Sequence, residues 1–119
     1  MDKLEHIFEM QQKLNNQIRE TRGLTNISRE EWIQKQTLAT ISELAELLDE
    51  VNFKWWKNPK PINEQAVKEE LVDIMHFFLS MCLELGMNAD ELYTMYLDKN
   101  KENFKRQDGT SDKKGYEVN

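Results

Sequence analysis

Cysteine, proline and glycine are scarce in this chain: one, two and four residues among 119. The lone cysteine, Cys82, excludes an internal disulfide and any cysteine-rich structural zinc centre. It lies in an apolar run and reads as a small core residue. The prolines, Pro59 and Pro61, sit close together, so the residue that interrupts helices is absent elsewhere. Basic residues are outnumbered, 16 Lys and Arg against 22 Asp and Glu, for a net charge of −6. A balance of that sign argues against a nucleic-acid partner, which would need phosphate-neutralising cations. It leaves open an anionic small molecule bridged by metal ions. The apolar stretch within 71–85 carries Asp73, His76 and Glu84 and is too short to span a bilayer, so no membrane partner is expected. The opening M-D-K-L-E-H lacks the apolar stretch of a signal peptide. The expectation is a cytoplasmic protein.

What is present is helical pattern. A chain of 119 residues suits one domain with a modest core. Leu4, Ile7, Phe8, Leu14 and Ile18 recur at helical spacing and predict a helix over about 3–22, ended by Gly23. Ser28-Arg-Glu-Glu31 is a capping-box pattern opening a second helix through Trp32, Ile41, Leu44, Leu48 and Val51. W-W-K-N-P-K-P-I-N at 55–63 breaks it. A third helix is predicted over about 63–85, stopping at Gly86. Asn88, with Asp90 and Glu91 behind it, opens a fourth that continues to about 106. The fold class is therefore all-α: a helical domain over 1–106 and a polar, flexible tail over 107–119.

Four acids carry the chemistry. Glu43 and Glu46 (E-L-A-E), and Glu70 and Asp73 (E-L-V-D), each share one face of a helix. Like charges one turn apart repel, so the fold gains nothing from them. For Glu43 and Glu46 alone, a solvated face is the simpler account. Asp73, however, opens D-I-M-H-F-F-L-S-M-C-L, apolar on nearly every side, which is the pattern of a buried helix. A buried carboxylate is costly unless a positive group answers it. With helices two and three joined as an antiparallel hairpin, Glu46 and Glu70 both lie about seven residues, or about 10 Å, from its tip. The pairs come level. Four carboxylates without a histidine pair suit Mg²⁺ or Mn²⁺ rather than zinc, and a metal-activated water attacking phosphorus is the direct reading.

Further residues fit a nucleotide. Lys99, Asn103 and Arg106 form one stripe of donors on the fourth helix, suited to phosphate. Taken alone, Lys99 and Arg106 would merely complement the helix dipole. Trp55 or Trp56 could stack on a base, the other being core. Gln11, Gln12 and Asn15 offer amides to a base edge, or form an ordinary polar face. His76, one turn beyond Asp73, is either a satisfied core histidine or a sugar contact.

The motif E-x-x-E, followed after 23 intervening residues by E-x-x-D, resembles the MazG-like superfamily of all-α nucleoside triphosphate pyrophosphohydrolases. M-Q-Q-K-L-N at 10–15, E-L-A-E-L-L-D-E at 43–50, K-W-W-K at 54–57, E-E-L-V-D-I-M-H-F at 69–77 and Y-L-D-K-N-K-E-N-F-K-R-Q at 96–107 resemble the dimeric all-α dUTPases within it. The resemblance implies a four- to five-helix bundle completed by oligomerisation, as a homodimer or homotetramer. It implies hydrolysis of dUTP to dUMP and pyrophosphate with Mg²⁺, for which Mn²⁺ can substitute. Glu43, Glu46, Glu70 and Asp73 would hold the metal, with Glu43 and Glu46 catalytic and Glu43 placed to activate the water. Gln12, Asn15 and Trp55 would hold the uracil, His76 the deoxyribose, and Lys99, Asn103, Arg106 and Tyr116 the phosphates. The chain departs from the pattern by lacking an extra helical region before the K-N-x-x-N-x-x-R segment and by an insertion before Tyr116. A related enzyme acting on dCTP or other non-canonical triphosphates shares the metal chemistry. A ferritin-like di-metal bundle needs Glu-x-x-His on two helices, and only Asp73-x-x-His76 comes near it. A non-enzymatic helical interaction protein would leave Asp73 unexplained.

Overall fold

A computed structural model describes residues 1–118. Its described residues form four helices and no strand: α1 Lys3–Thr21, α2 Arg29–Glu50, α3 Glu64–Glu84 and α4 Ala89–Asp108. The all-α expectation holds, with each boundary close to its sequence signal. A helix leaves its first N–H groups without partners. Here Asp2, Ser28, Asn63 and Asn88 accept from the backbone N–H of Glu5, Glu31, Ala66 and Glu91 at 2.8–3.1 Å. Glu31 does not complete the capping box; it lies 4.0 Å from Lys35 instead. Gly109 stops α4 in the left-handed region, φ 83°, where a side chain would be strained.

Antiparallel α2 and α3 pack along one another, joined by residues 51–63. Asn52, itself left-handed at φ 58°, closes this connection. Its amide donates to the Lys60 carbonyl at 2.8 Å and accepts from the Lys60 N–H at 2.9 Å. Pro59 and Pro61 have no N–H, so Lys60 is the donor available between them.

The closed core sits at the other end of the hairpin. Phe8 of α1, Leu79 and Cys82 of α3 and Ala89 of α4 form it, ringed by Leu4, Leu83, Met87 and Leu92. Arg19 ties three helices there: it pairs with Glu84 of α3 and lies 4.1 Å above the ring of Trp32 of α2. From this junction α4 packs on α1.

The chain is elongated, with a radius of gyration of 18.3 Å and extents of 56 × 43 × 29 Å. A compact domain of this length would have a radius of roughly 13–14 Å. The burial expected all round α3 is accordingly confined to Leu79, Ser80 and Cys82. Towards the tip Met75, Phe78, Leu71 and Val72 are 41–54% exposed; Val72 and Met75 border only an open groove shared with Ile7, Met10 and Leu14 of α1. Asp73 is exposed as well. Among the described residues no helix is long and apolar enough to cross a membrane.

Candidate functional site

The hairpin register brings the acids level. Glu43 and Glu46 of α2 and Glu70 of α3 each offer a carboxylate oxygen within 4.8 Å of the others. Glu43 Oε2 and Glu70 Oε2 are buried and have no hydrogen-bond partner. Leaving such an acceptor unmet costs about 1–3 kcal/mol, and more when it is charged. The Glu70 carboxyl responds by holding its proton: it is pushed up to about 7. The hydrogen-bonding proximity of Glu43 is the first cause, then desolvation, then the charges of Glu43 and Glu46. Three oxygens converging without a donor fit a hard divalent cation. Asp73, one turn further along α3, is not part of this trio.

Asp73 lines instead an open cavity of about 470 Å³ between α1, α2 and α3. A cluster of amides and a hydroxyl stands among its largely apolar walls. Gln11 Nε2 donates to Asn15 Oδ1 at 3.0 Å and to Ser80 Oγ at 3.1 Å. The Ser80 hydroxyl reaches Asn15 Oδ1 at 3.2 Å and the His76 carbonyl at 2.7 Å. Lys35, Gln36 and Trp32, which is buried beneath Arg19, form the α2 side. Gln36 Oε1 is buried and without a partner. His76 also lines the cavity; its Nδ1 lies 2.9 Å from the Val72 carbonyl, which can only accept, so Nδ1 is the donor in that contact.

Of the base-contact candidates, Asn15 and His76 face this cavity and Gln12 and Trp55 do not. Gln12 is exposed on the far side of α1, bonded to Asn16 at 3.0 Å. Its neighbour Gln11 holds the inward place. Trp55 is 85% exposed in the tip connection, perpendicular to Trp56. Trp32 is the tryptophan in the cavity wall. The donors of α4 are also elsewhere. Arg106 bonds Glu102 at 3.2 Å and lies 5.5 Å above the Tyr116 ring, so the tail folds against its own helix. No hydrogen bond or ion pair among the described residues joins Lys99, Asn103 or Arg106 to the carboxylates. Trp32, Gln36 and Ser80 are the additions the structure makes, and between the two glutamines named from the sequence it places Gln11, not Gln12, at the cavity. Gln36 was detectable, seven residues before Glu43 and so on nearly the same helix face.

Comparison with known proteins follows this geometry. The T4 dCTP pyrophosphatase of an enterobacterial phage is 39% identical over 88 residues, covering 62% of this chain and 52% of the relative. The dCTP pyrophosphatase of enterobacteria phage LZ5 is 35% identical over 75 residues, covering 63% and 44%. A DNA replication protein of phage T4 is 36% identical over 81 residues, covering 56% of this chain and 21% of that protein. The chain thus spans about half the length of the first two relatives. No solved structure matches. The family described as dUTPase matches residues 3–88, which hold α1, α2, α3 and every wall of the cavity. On that match the chain belongs to the dUTPase family.

Proposed function

We propose that the chain is a Mg²⁺-dependent pyrophosphohydrolase that converts dCTP to dCMP and pyrophosphate. The observation that carries this is the convergence of Glu43, Glu46 and Glu70 with two buried, unmet oxygens. When bound there, Mg²⁺, or Mn²⁺ in its place, supplies positive charge for the phosphates and makes the attacking water more acidic. Glu43 Oε2, which meets no donor outside the carboxylate trio, takes the proton of that water. The water oxygen bonds to the α-phosphorus as the bond to the bridging oxygen breaks, and pyrophosphate leaves. Glu46 and Glu70 would hold the cation. Asp73 stands one turn on, between the carboxylates and the nucleoside cavity, where Asn15 and His76 meet base and sugar.

The choice of dCTP rests on the names of the two phage relatives. The family description favours dUTP, which is the second reading. Lys99, Asn103, Arg106 and Tyr116 are the proposed phosphate donors. They stand apart from the carboxylates of their own chain, and the apolar tip half of α3 is bare. A homodimer or homotetramer meets both needs: a second copy covers Val72, Met75 and Phe78 and brings its α4 to the site. Such an enzyme would act on nucleotides in the cytoplasm.

The test is pyrophosphate release from a panel of nucleoside triphosphates with Mg²⁺ or with chelator. The expected result is metal-dependent release, fastest from dCTP. No release from any triphosphate would overturn the proposal, and dUTP faster than dCTP would reverse the choice of base. Light scattering showing a monomer at micromolar concentration would remove the oligomer.

A further inference from the structure

Every buried amide of the cavity wall has a partner except one. Gln11, Asn15 and Ser80 satisfy each other across α1 and α3. Gln36 is only 9% exposed, lines the same cavity, and leaves Oε1 buried and unmet. Its backbone carbonyl is taken by Thr40 at 2.8 Å, so the side chain is not needed to hold the helix. A buried, unmet acceptor on a residue that lines a cavity of about 470 Å³ asks for a donor that the protein does not provide.

The hairpin register says which part of a ligand would supply it. Glu43 meets Glu70 at the phosphate end. Gln36 stands seven residues back along α2, two turns or about 10 Å. Over the same step α3 runs from Glu70 past Asp73 and His76 to Phe77, all three lining the cavity after Glu70. That is the reach of a deoxyribose and a pyrimidine ring. Trp32, buried and one turn further back along α2, lines the cavity beyond Gln36.

We infer that Gln36 reads the Watson–Crick edge of the base, its Oε1 accepting a hydrogen bond from the 4-amino group of cytosine. This rests on the reading that a pyrimidine triphosphate occupies the site. The amide presents an acceptor beside a donor, the complement of the amino donor and ring N3 acceptor of cytosine. Gln36 is thus a specificity residue on the helix that also carries two of the carboxylates, and base identity is read from the same rigid element that sets the metal position.

The probes are the α,β-imido analogues of dCTP and of the pyrimidin-2-one deoxynucleotide, which lacks the amino group. Both are titrated calorimetrically with Mg²⁺ into wild type and Gln36→Leu. Wild type is expected to bind the cytosine analogue about tenfold more tightly, and Gln36→Leu to bind both alike. A merely structural role would weaken both analogues equally and keep the ratio. Gln36→Met, unbranched like glutamine, gives the same comparison if the leucine variant does not fold. A ratio unchanged in the variant, or absent in wild type, overturns the assignment. Pyrophosphate release is measured separately on dCTP. Selective binding without hydrolysis would remove the pyrophosphohydrolase and keep Gln36 as base reader; hydrolysis with an unchanged ratio would do the reverse.

Discussion

Where α1, α3 and α4 meet, Phe8, Leu79, Cys82 and Ala89 are closed from water, and Arg19 clamps Trp32 and Glu84. At the tip of the same hairpin, Glu43, Glu46 and Glu70 crowd without a counter-charge, and apolar Leu71 and Val72 face outward. α3 runs through both regions. At one end its side chains are spent on holding the chain together. At the other they are held in an arrangement that favours something not in the chain. The difference teaches that folding energy and candidate chemistry have been placed at opposite ends of one pair of helices, so that each can be perturbed without the other.

The sharpest way to break that division is Glu43→Gln. Loss of a proton acceptor at the reacting water should lower pyrophosphate release by about 10²–10⁴-fold. Thermal stability should hold or rise, since one of the crowded charges has gone. A variant both inactive and unstable would make the carboxylates part of the scaffold. Phe8→Ala attacks the other end. It should cost about 3–5 kcal/mol in denaturant unfolding while the KM of the folded fraction stays put. A raised KM would show the junction reaching the site.

A milder perturbation is pH. Glu70 carries its proton in the folded chain up to about 7, against an ordinary value of 4.5. Below 4.5 it is protonated folded or unfolded; between the two values only the folded chain holds the proton. Stability contributed on the acid side is therefore lost as pH rises through about 7. Melts in chelator should fall across that window, and added Mg²⁺ should flatten the fall and release protons on binding. Flat melts in chelator would deny the crowding. The smallest effect is expected from Asn52→Ala, which opens the connection at Lys60. It should cost about 1 kcal/mol and speed hydrogen exchange at the tip alone.

Much of this was legible in the sequence because it is local. Ser28, Asn63 and Asn88 announce helix starts through bonds to residues three positions on. The levelness of Glu43, Glu46 and Glu70 follows from counting residues from the tip. What was not legible depends on contacts between distant segments. Gln11 and Gln12 are nearly equivalent in spacing to Asn15, and Ser80 on α3 decides between them. Trp55 sits beside the acid motif in sequence yet leaves the cavity to Trp32, because the connection carries it outward. The course of α4 is set by its seat on α1, which nothing in K-N-x-x-N-x-x-R encodes.

The three tryptophans give the two ends separate spectra. Trp55 and Trp56 stand perpendicular with centroids 4.6 Å apart, close enough for their electronic transitions to couple into paired circular-dichroism bands of opposite sign. Exposed to water, they emit at long wavelength. Trp32, shielded beneath a guanidinium, emits at short wavelength and forms part of the cavity wall. A ring seated in the cavity would quench the blue component and leave the exciton couplet unchanged, whereas a partner docking on the tip would do the opposite. The molecule can thus be followed by light at either end without a label.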